Sequence, residues 1–492
     1  MKLKQLLDNC DVNLEVTGIS QDSRKVEKGY VFVAVPGSQK DGLQFAEDAI
    51  ARGAIAVVTE KDVDLKVPVV TVPSARRSLA LMSARFYGNP ADGLTLLAVT
   101  GTNGKTTTAY LLEAMCAAGG ACTGLIGTVE YKFMGRTEEP THTTPDAPAL
   151  HGLLRRMVDA GVDTVILEAS SHALDQERLY GLTFRAAAFT NLTRDHLDYH
   201  LEQENYFQAK RKLFSENLAV GGVAVVNGDD TFGSRIYNEV RAQKRMAWKF
   251  SRRGDAEISA ANVEYSLAGM KGTLKTPAGD VPLKSQLIGA HNLENILAAA
   301  GVALGAGFSR RDVQDGIERT KSVRGRLEKV EHDGVIALVD YAHTDDALRR
   351  SLEAARALTK ERVVVVFGCG GDRDKGKRPL MGAAAAEGAD VIVLTSDNPR
   401  TESSEEIISQ ISAGIEKSGL RRMSQGKAKS GEKGYLVDED RAAAIQLGVS
   451  LCKSGDVLLV AGKGHEAFQN IGNKKLPFDD REETLKALKA RS

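Results

Sequence analysis

Short apolar runs rich in valine recur along the chain, and each stops at a polar or glycine-containing loop. VFVAVPG (31–37), AIAVVT (54–59) and VPVVTV (67–72) read as buried strands, because a brief continuous apolar run bounded by turn residues fits a strand covered on both faces. FAEDAIARG (45–53) and ARRSLALMSARFYG (75–88) read as helices, each closed by a glycine. Asn89-Pro90 marks a linker. A second unit opens with LTLLAVT (94–100) and continues through TVILEAS (164–170), AAAFTNL (186–192) and VAVVNGDD (223–230). It closes on an Ala-rich helix, LAAAGVALGAGFS (297–309). A third follows SVRGRLEKV (322–330) and holds VIALVDY (335–341), VVVVFGCGG (363–371), ADVIVLTSDNPR (389–400) and DVLLVAGKGHE (456–466). Strands alternating with helical stretches predict parallel sheets joined by crossover helices. In open α/β sheets ligands gather beyond the carboxyl ends of the strands, so the glycine-rich and polar loops of the third unit predict a binding edge. The polar stretch RRMSQGKAKSGEKG (421–434) reads as an exposed loop.

Length and composition narrow the class. At roughly 150 residues per domain, the 492 residues predict about three domains. Lysine plus arginine equals aspartate plus glutamate at 65 each, which argues against a general nucleic-acid binder. Hydrophobic residues at 42% and charged residues at 26% exclude disorder as the main state. Five cysteines without a CxxC pair make no disulfide scaffold and fit a reducing cytoplasm. The start, MKLKQLLDNC, lacks a signal-peptide core, and no run approaches the ~18–20 apolar residues that span a bilayer. A cytoplasmic protein without membrane insertion is expected.

The strongest chemical signal is Gly101-Thr102-Asn103-Gly104-Lys105-Thr106-Thr107, set between a β run and the helical TAYLLEAM. Glycines let backbone N–H groups turn inward around phosphate oxygens, and the helix N-terminus adds favourable dipole charge. The lysine reaches the terminal phosphates and a threonine hydroxyl meets Mg²⁺. Counted from its first glycine, the loop is shorter than the usual GxxxxGK[ST], which points to a subclass of P-loop proteins. Glu168, ending an apolar strand, is placed to hold Mg²⁺. The segment 190–200, TNLTRDHLDYH, packs histidines, aspartates and an arginine together. A zinc site there stays open, but no cysteine or HExxH spacing supports it, and a Mg²⁺ or phosphate role fits better.

The ordered set TGTNGKTTT, LEASSHALDQERL, NLTRDHLDYH and YFQAKRKLF resembles the Mur ligase family. GAHNLENILAA (289–299), VRGRLE (323–328), DYAHTDDAL (340–348), FGCGGDRDKGKRPLMG (367–382), SDNPRTES (396–403) and AGKGHE (461–466) extend the resemblance over nearly the whole chain. It implies an α/β protein of three domains. An N-terminal α/β UDP-binding domain (1–88) and a C-terminal Rossmann-like amino-acid-binding domain (324–492) flank a central P-loop ATPase sheet (89–323). The implied activity is ATP-dependent amide formation in cytoplasmic peptidoglycan precursor synthesis, by a monomer. The implied substrates are UDP-MurNAc-L-Ala-D-Glu, meso-diaminopimelate and ATP, with Mg²⁺ as cofactor.

Residue roles follow from the same resemblance. Ser23 matches a contact to the UDP substrate, and the loop 37–42 matches a family loop that is richer in histidine. Thr143, Thr144, Ser170, Gln176 and Arg178 match contacts to the muramoyl peptide; an arginine suits that anionic substrate. Gly101 to Thr107 would carry ATP, with Asn292 and Asn295 on the adenine side and Arg326 and His343 between domains. Lys105, Glu168, His196 and Lys210 form the implied catalytic set. Thr106, Glu168, His196 and a carbamylated Lys210 form the implied metal set. His172 and His200 have no comparable match, so a structural role is expected for them at least as readily. Asp345 stands where the family usually has proline, whose ring would fix the turn; its loss is expected to alter the loop but not the preceding His343. Arg373, Asp397, Asn398, Pro399, Arg400, Gly462 and Glu466 match positions that read meso-diaminopimelate. Lysine-adding relatives lack the arginine matched by Arg400, the natural partner of the extra carboxylate on diaminopimelate. A lysine-adding ligase, a folylpolyglutamate synthase-like ligase and a nucleotide-dependent switch without amide chemistry are the competing readings.

Overall fold

The computed structural model describes residues 1–492 except Asn9, Ser38, Gln39, Leu267, Asp333 and Ser492. The middle of the 37–42 loop therefore lies outside the described residues. Each apolar run read as a strand forms one, with bounds shifted: most end earlier, and those at Tyr30–Val33, Phe184–Phe189 and Leu218–Asn227 also begin earlier. The N-terminal sheet is parallel throughout, in the order Gly18–Ser20, Tyr30–Val33, Ala56–Thr59, Val69–Thr71.

The central sheet has eight strands. Six run parallel in the order Met246–Phe250, Leu218–Asn227, Phe184–Phe189, Thr95–Thr100, Thr164–Glu168, Thr123–Ile126. Tyr131–Phe133 and Arg136–Glu138 add an antiparallel edge. Alternation along Thr95–Thr100 sends Leu96 and Ala98 into one apolar layer and Leu97 and Val99 into the opposite one. Helices on both faces bury both layers, which is why the strand reads as a continuous hydrophobic run.

The C-terminal sheet has the order Glu328–His332, Val335–Asp340, Val457–Ala461, Val363–Phe367, Val391–Leu394, Gly434–Val437. Only the first pair is antiparallel. Val363 and Val365 face one layer, and Val364 and Val366 the other.

Two sequence expectations change. The stretch 421–434 is not simply a loop: it carries a short helix, Gln425–Ser430, started by the Ser424 hydroxyl accepting from Lys427 N–H and stopped at Gly431. Asp345 does not disturb a loop either. It is the first residue of helix Asp345–Ala357, capped by Thr344, and the first helical turn suits acidic residues and proline alike. A three-stranded antiparallel sheet, Ser259–Ser266, Gly269–Lys275 and Val281–Ser285, had no counterpart in the apolar-run pattern. Among the described residues no helix is long and apolar enough to cross a membrane.

The units meet through specific contacts. Arg77 pairs with Glu177 at 2.9 Å between the N-terminal and central units. Arg350 pairs with Glu294 at 3.0 Å, and Asn103 Nδ2 donates to Asp346 at 2.9 Å, between the central and C-terminal units. The carboxyl ends of the central sheet thus face the C-terminal sheet across a cavity.

Candidate active site

Strand Thr95–Thr100 delivers the chain to the loop 101–104, and helix Lys105–Ala118 leaves it. Gly104 sits at φ +87°, and a Cβ there would stand 2.2 Å from Asn295 Oδ1, so the helix carrying Asn292 and Asn295 packs against bare backbone. Lys105 Nζ folds back onto the carbonyls of Gly101 (3.0 Å) and Thr102 (2.9 Å). Lys210 is fully buried on helix Gln203–Ser215 and donates to the same Gly101 carbonyl at 2.8 Å, with Nζ 4.5 Å from the Tyr206 ring centroid. Burial holds the Lys105 ammonium below its ordinary range, with Glu168 and Asp195 pulling it partly back. Burial and the neighbouring Lys105 push Lys210 far below its ordinary value.

Glu168 ends the neighbouring strand, is fully buried, and has both oxygens engaged. Thr128 N–H donates to Oε1 at 3.0 Å, while the hydroxyls of Thr128 and Thr106 donate to Oε2 at 2.9 and 3.0 Å. Arg326, from the loop entering the C-terminal unit, donates to the Thr106 hydroxyl at 3.0 Å and so spans the cavity. His196 lies in the left-handed region at φ +54° with Nε2 3.5 Å from Asp195 Oδ2, and His343 Nε2 is 3.7 Å from the same oxygen. Burial drives His196 down to about 3, which keeps it neutral, the form that ligates metals. Burial raises Asp195, but His343 and His196 outweigh it and leave the carboxyl strongly acidic.

These residues can hold Mg²⁺. That ion is commonly bound by one or two protein carboxylates plus substrate phosphates, and the Glu168–Thr106 pair beside the 101–104 glycine loop has the donor chemistry for it. His196 and Lys210 line the same cavity. Among the described residues no three of His, Cys, Asp and Glu converge as a ready-made metal cluster.

Thr143, Thr144, Ser170, Gln176 and Arg178 come together beside Glu168. The Thr143 and Thr128 hydroxyls are 3.1 Å apart. Thr144 Oγ1 donates to the Glu168 carbonyl at 2.7 Å and accepts from Ser170 N–H at 3.0 Å. Arg178 donates to the Thr144 carbonyl at 2.7 Å and to Gln176 Oε1 at 2.8 Å. Ser23 does not join them: it is buried in the N-terminal unit at the start of a 3-10 turn, facing Asp48. Asn292 and Asn295 are linked at 2.9 Å and buried. His172 packs at a 42° tilt against Tyr199 with ring centroids 4.3 Å apart and meets His196 edge-on at 4.9 Å, and His200 bonds the Ser171 hydroxyl at 3.0 Å.

The third group sits at the carboxyl ends of the C-terminal strands. Asn398 Nδ2 donates to Glu466 Oε2 at 2.8 Å, and Arg400 Nη1 donates to the Gly371 carbonyl at 2.6 Å. Arg400 sits at φ +52°, its backbone held by Asn470 and Gly472. Burial and the nearby Arg373 lower its affinity for the proton, while Asp397, Glu466 and Asp372 restore part of it. Pro399 and Asn398 carbonyls close on the Gly371 turn, and Gly371 N–H donates to Asn398 at 2.9 Å. Gly462 is at φ +118°, and a Cβ there would meet Asp397 Oδ2 at 2.8 Å. Arg373 is exposed at the rim.

Sequence reasoning missed several residues that complete this geometry. Asp346 and Arg350, four apart on one helix and 3.1 Å from each other, join the C-terminal unit to Asn103 and Glu294. Tyr206 places its hydroxyl 3.2 Å from Thr102 Oγ1. Lys463 is fully buried within AGKGHE, next to Glu466.

Comparison with known proteins adds a consistent result. Residues 15–87 match the model described as Mur ligase family, catalytic domain. Residues 99–303 match the Mur ligase middle domain, and residues 325–464 the Mur ligase, glutamate ligase domain. A UDP-N-acetylmuramoyl-L-alanyl-D-glutamate--2,6-diaminopimelate ligase from Geobacter sulfurreducens is 42% identical over 98% of this chain and 96% of its own. A solved structure bearing the same enzyme description is 34% identical, covers 100% of this chain and 99% of its own, and superposes with a TM-score of 0.69. MurF from Acinetobacter baumannii, at 20% identity, covers 96% of this chain and 93% of its own with a TM-score of 0.63, a likeness of fold.

Proposed function

The chain belongs to the Mur ligase family, and from that premise we propose that it is an ATP-dependent amide ligase. It joins meso-2,6-diaminopimelate to the D-Glu γ-carboxylate of UDP-MurNAc-L-Ala-D-Glu in peptidoglycan precursor synthesis. The observation that supports this best is the facing of two strand edges. The glycine loop with Glu168 lies on one and the Arg400–Glu466 group beyond the other, and Arg326 reaches across to Thr106 in a cavity that Lys105, His196, Tyr341 and His343 also line. We place the domains at 1–88, 89–323 and 324–492, for the UDP end, ATP and the amino acid respectively, in a cytoplasmic monomer.

A carboxylate is a poor acylating agent, so it must first be activated. An oxygen of the D-Glu γ-carboxylate attacks the ATP γ-phosphorus, the bond to the bridging oxygen breaks, and ADP leaves. Thr143, Thr144, Ser170, Gln176 and Arg178 orient the dipeptide, with Ser23 on the UDP end. Lys105 and Arg326 offset negative charge on the transferring phosphoryl group. The amine of diaminopimelate then attacks the acyl carbon, phosphate departs, and the nitrogen loses a proton. Thr106, Glu168, His196 and a Lys210 carbamate would hold Mg²⁺, which supplies positive charge at the phosphates. The depressed basicity of Lys210 leaves its amine free to add to CO₂, forming an N–C bond and losing a proton. The product anion would sit beside the Lys105 ammonium. Asn292, Asn295 and His343 complete the nucleotide site. Arg400 and Arg373 pair with the distal carboxylate of diaminopimelate, while Asp397, Asn398 and Glu466 take its ammonium. L-lysine would leave Arg400 without its partner.

The test is isotopic. With the dipeptide γ-carboxylate labelled by ¹⁸O, one label must appear in the released phosphate. Phosphate free of label, with amide product formed, would refute the acyl phosphate route.

A further inference from the structure

Lys463 is fully buried at the exit of strand Val457–Ala461, among residues that the proposed function assigns to the amino acid. Its Nζ donates to Glu466 Oε2 at 3.0 Å and Asn398 Oδ1 at 3.1 Å, and stands 3.7 Å from Asp397 Oδ1. That aspartate oxygen is buried and has no hydrogen-bond partner among the described residues. One ammonium therefore lies against two carboxylates and an amide, a cluster that would form the floor of the proposed amino-acid site. A second buried cation nearby, Arg441, is already taken by Asp480 in a bidentate pair with both contacts at 2.7 Å.

From this arrangement we infer that Lys463 is a specificity-determining positioning residue, one that sets the charge of the pocket. The inference rests on the proposed reaction. With Lys463 present, Glu466 and Asp397 carry two negative charges against one fixed ammonium, and Arg400 and Arg373 add positive charge at the rim. Without it the floor becomes more negative by one unit. meso-Diaminopimelate and L-lysine differ by one carboxylate, so a more negative floor disfavours the former relative to the latter. Lys463 also fixes the Glu466 carboxylate and the Asn398 amide in one geometry, since both bond the same nitrogen.

The experiment measures kcat and KM for meso-diaminopimelate and L-lysine with the full-length wild type, Lys463→Met, Glu466→Gln and the double variant. Lys463→Met is expected to raise KM for meso-diaminopimelate about thirtyfold or more, as for truncating one partner of a buried charge pair. KM for ATP stays near the wild-type value. The preference for meso-diaminopimelate over L-lysine falls by roughly tenfold or more. Removing both charges restores the wild-type net charge of the floor, with Asp397 alone in place of two carboxylates and one ammonium, so the double variant should lose little beyond Glu466→Gln alone. If Lys463→Met does not fold, Lys463→Gln, which keeps a donor without the charge, should still show the fall in preference. An unchanged preference in either variant, or fully additive losses in the double variant, would overturn the inference while leaving the ligase reading intact. No turnover by the wild type with either amino acid would overturn both.

Discussion

Replacing Glu168 by glutamine keeps the shape of the side chain and removes its charge, so it separates the fold from the chemistry. Three donors converge on the carboxylate: Thr128 N–H on Oε1, and the Thr128 and Thr106 hydroxyls on Oε2. The amide would turn its NH₂ toward Oε2, where both hydroxyls can rotate to accept, and keep its oxygen on Thr128 N–H. Charge-assisted bonds weaken to neutral ones by roughly half, so the loss over three bonds is on the order of 2 kcal/mol. Relief from burying a charge offsets part of that loss. Activity should respond far more, because the oxygen opposite Thr106 is the proposed cation ligand: about 10²–10³ in kcat, the scale for losing one preorganised electrostatic contact. The assay is phosphate release over a Mg²⁺ titration, alongside a thermal melt. The expected variant melts cooperatively near the wild type, turns over poorly and needs more Mg²⁺. A Glu168→Gln enzyme keeping more than about a tenth of wild-type kcat, against the loss expected for such a contact, with unchanged Mg²⁺ dependence, would refute the assignment.

Two further predictions concern stability. Arg441→Met strips the partner from fully buried Asp480 and should cost about 3–5 kcal/mol in urea unfolding of the C-terminal domain. Adding Asp480→Leu should recover much of this; no recovery would show that the charge pair is not the cause. His151 is buried on helix Ala147–Asp159 with neither ring nitrogen hydrogen-bonded among the described residues, and burial lowers it to about 4. Because the folded value lies below the unfolded one, the unfolded chain takes the proton first, and stability is lost as pH falls from ~6.5 toward that value. His151→Leu should raise the melting temperature, and by more at pH ~5 than at pH ~7.5; an equal gain at both would contradict the titration argument.

The strand–glycine loop–helix at 95–118 was legible because its physical requirement is local: a strand, a turn of bare backbone and a helix start must be adjacent in the chain. The parallel sheets were legible for a related reason, since strands buried on both faces write continuous valine runs such as VVVVF (363–367). The antiparallel sheet at 259–285 was not, because its first strand is largely unburied and reads as polar surface. The helix inside 421–434 is carried by one cap and one glycine, with Ala428 its only buried residue, so composition hid it. Lys463 illustrates the same limit at the site. A lysine between glycines reads as solvated, and only the return of Asn398 and Asp397 from another strand shows what buries it. Ser23, matched to the UDP end of the substrate, lies in the N-terminal unit, away from the group around Glu168.

The most direct test of the central claim is product formation by the purified protein with ATP, Mg²⁺ and UDP-MurNAc-L-Ala-D-Glu, comparing meso-diaminopimelate with L-lysine. The Arg400 pocket predicts phosphate release and a UDP-tripeptide with meso-diaminopimelate, and little of either with L-lysine. Equal or better turnover with L-lysine would keep the ligase and contradict the specificity argument; nucleotide binding without amide formation from either would contradict the account at its root.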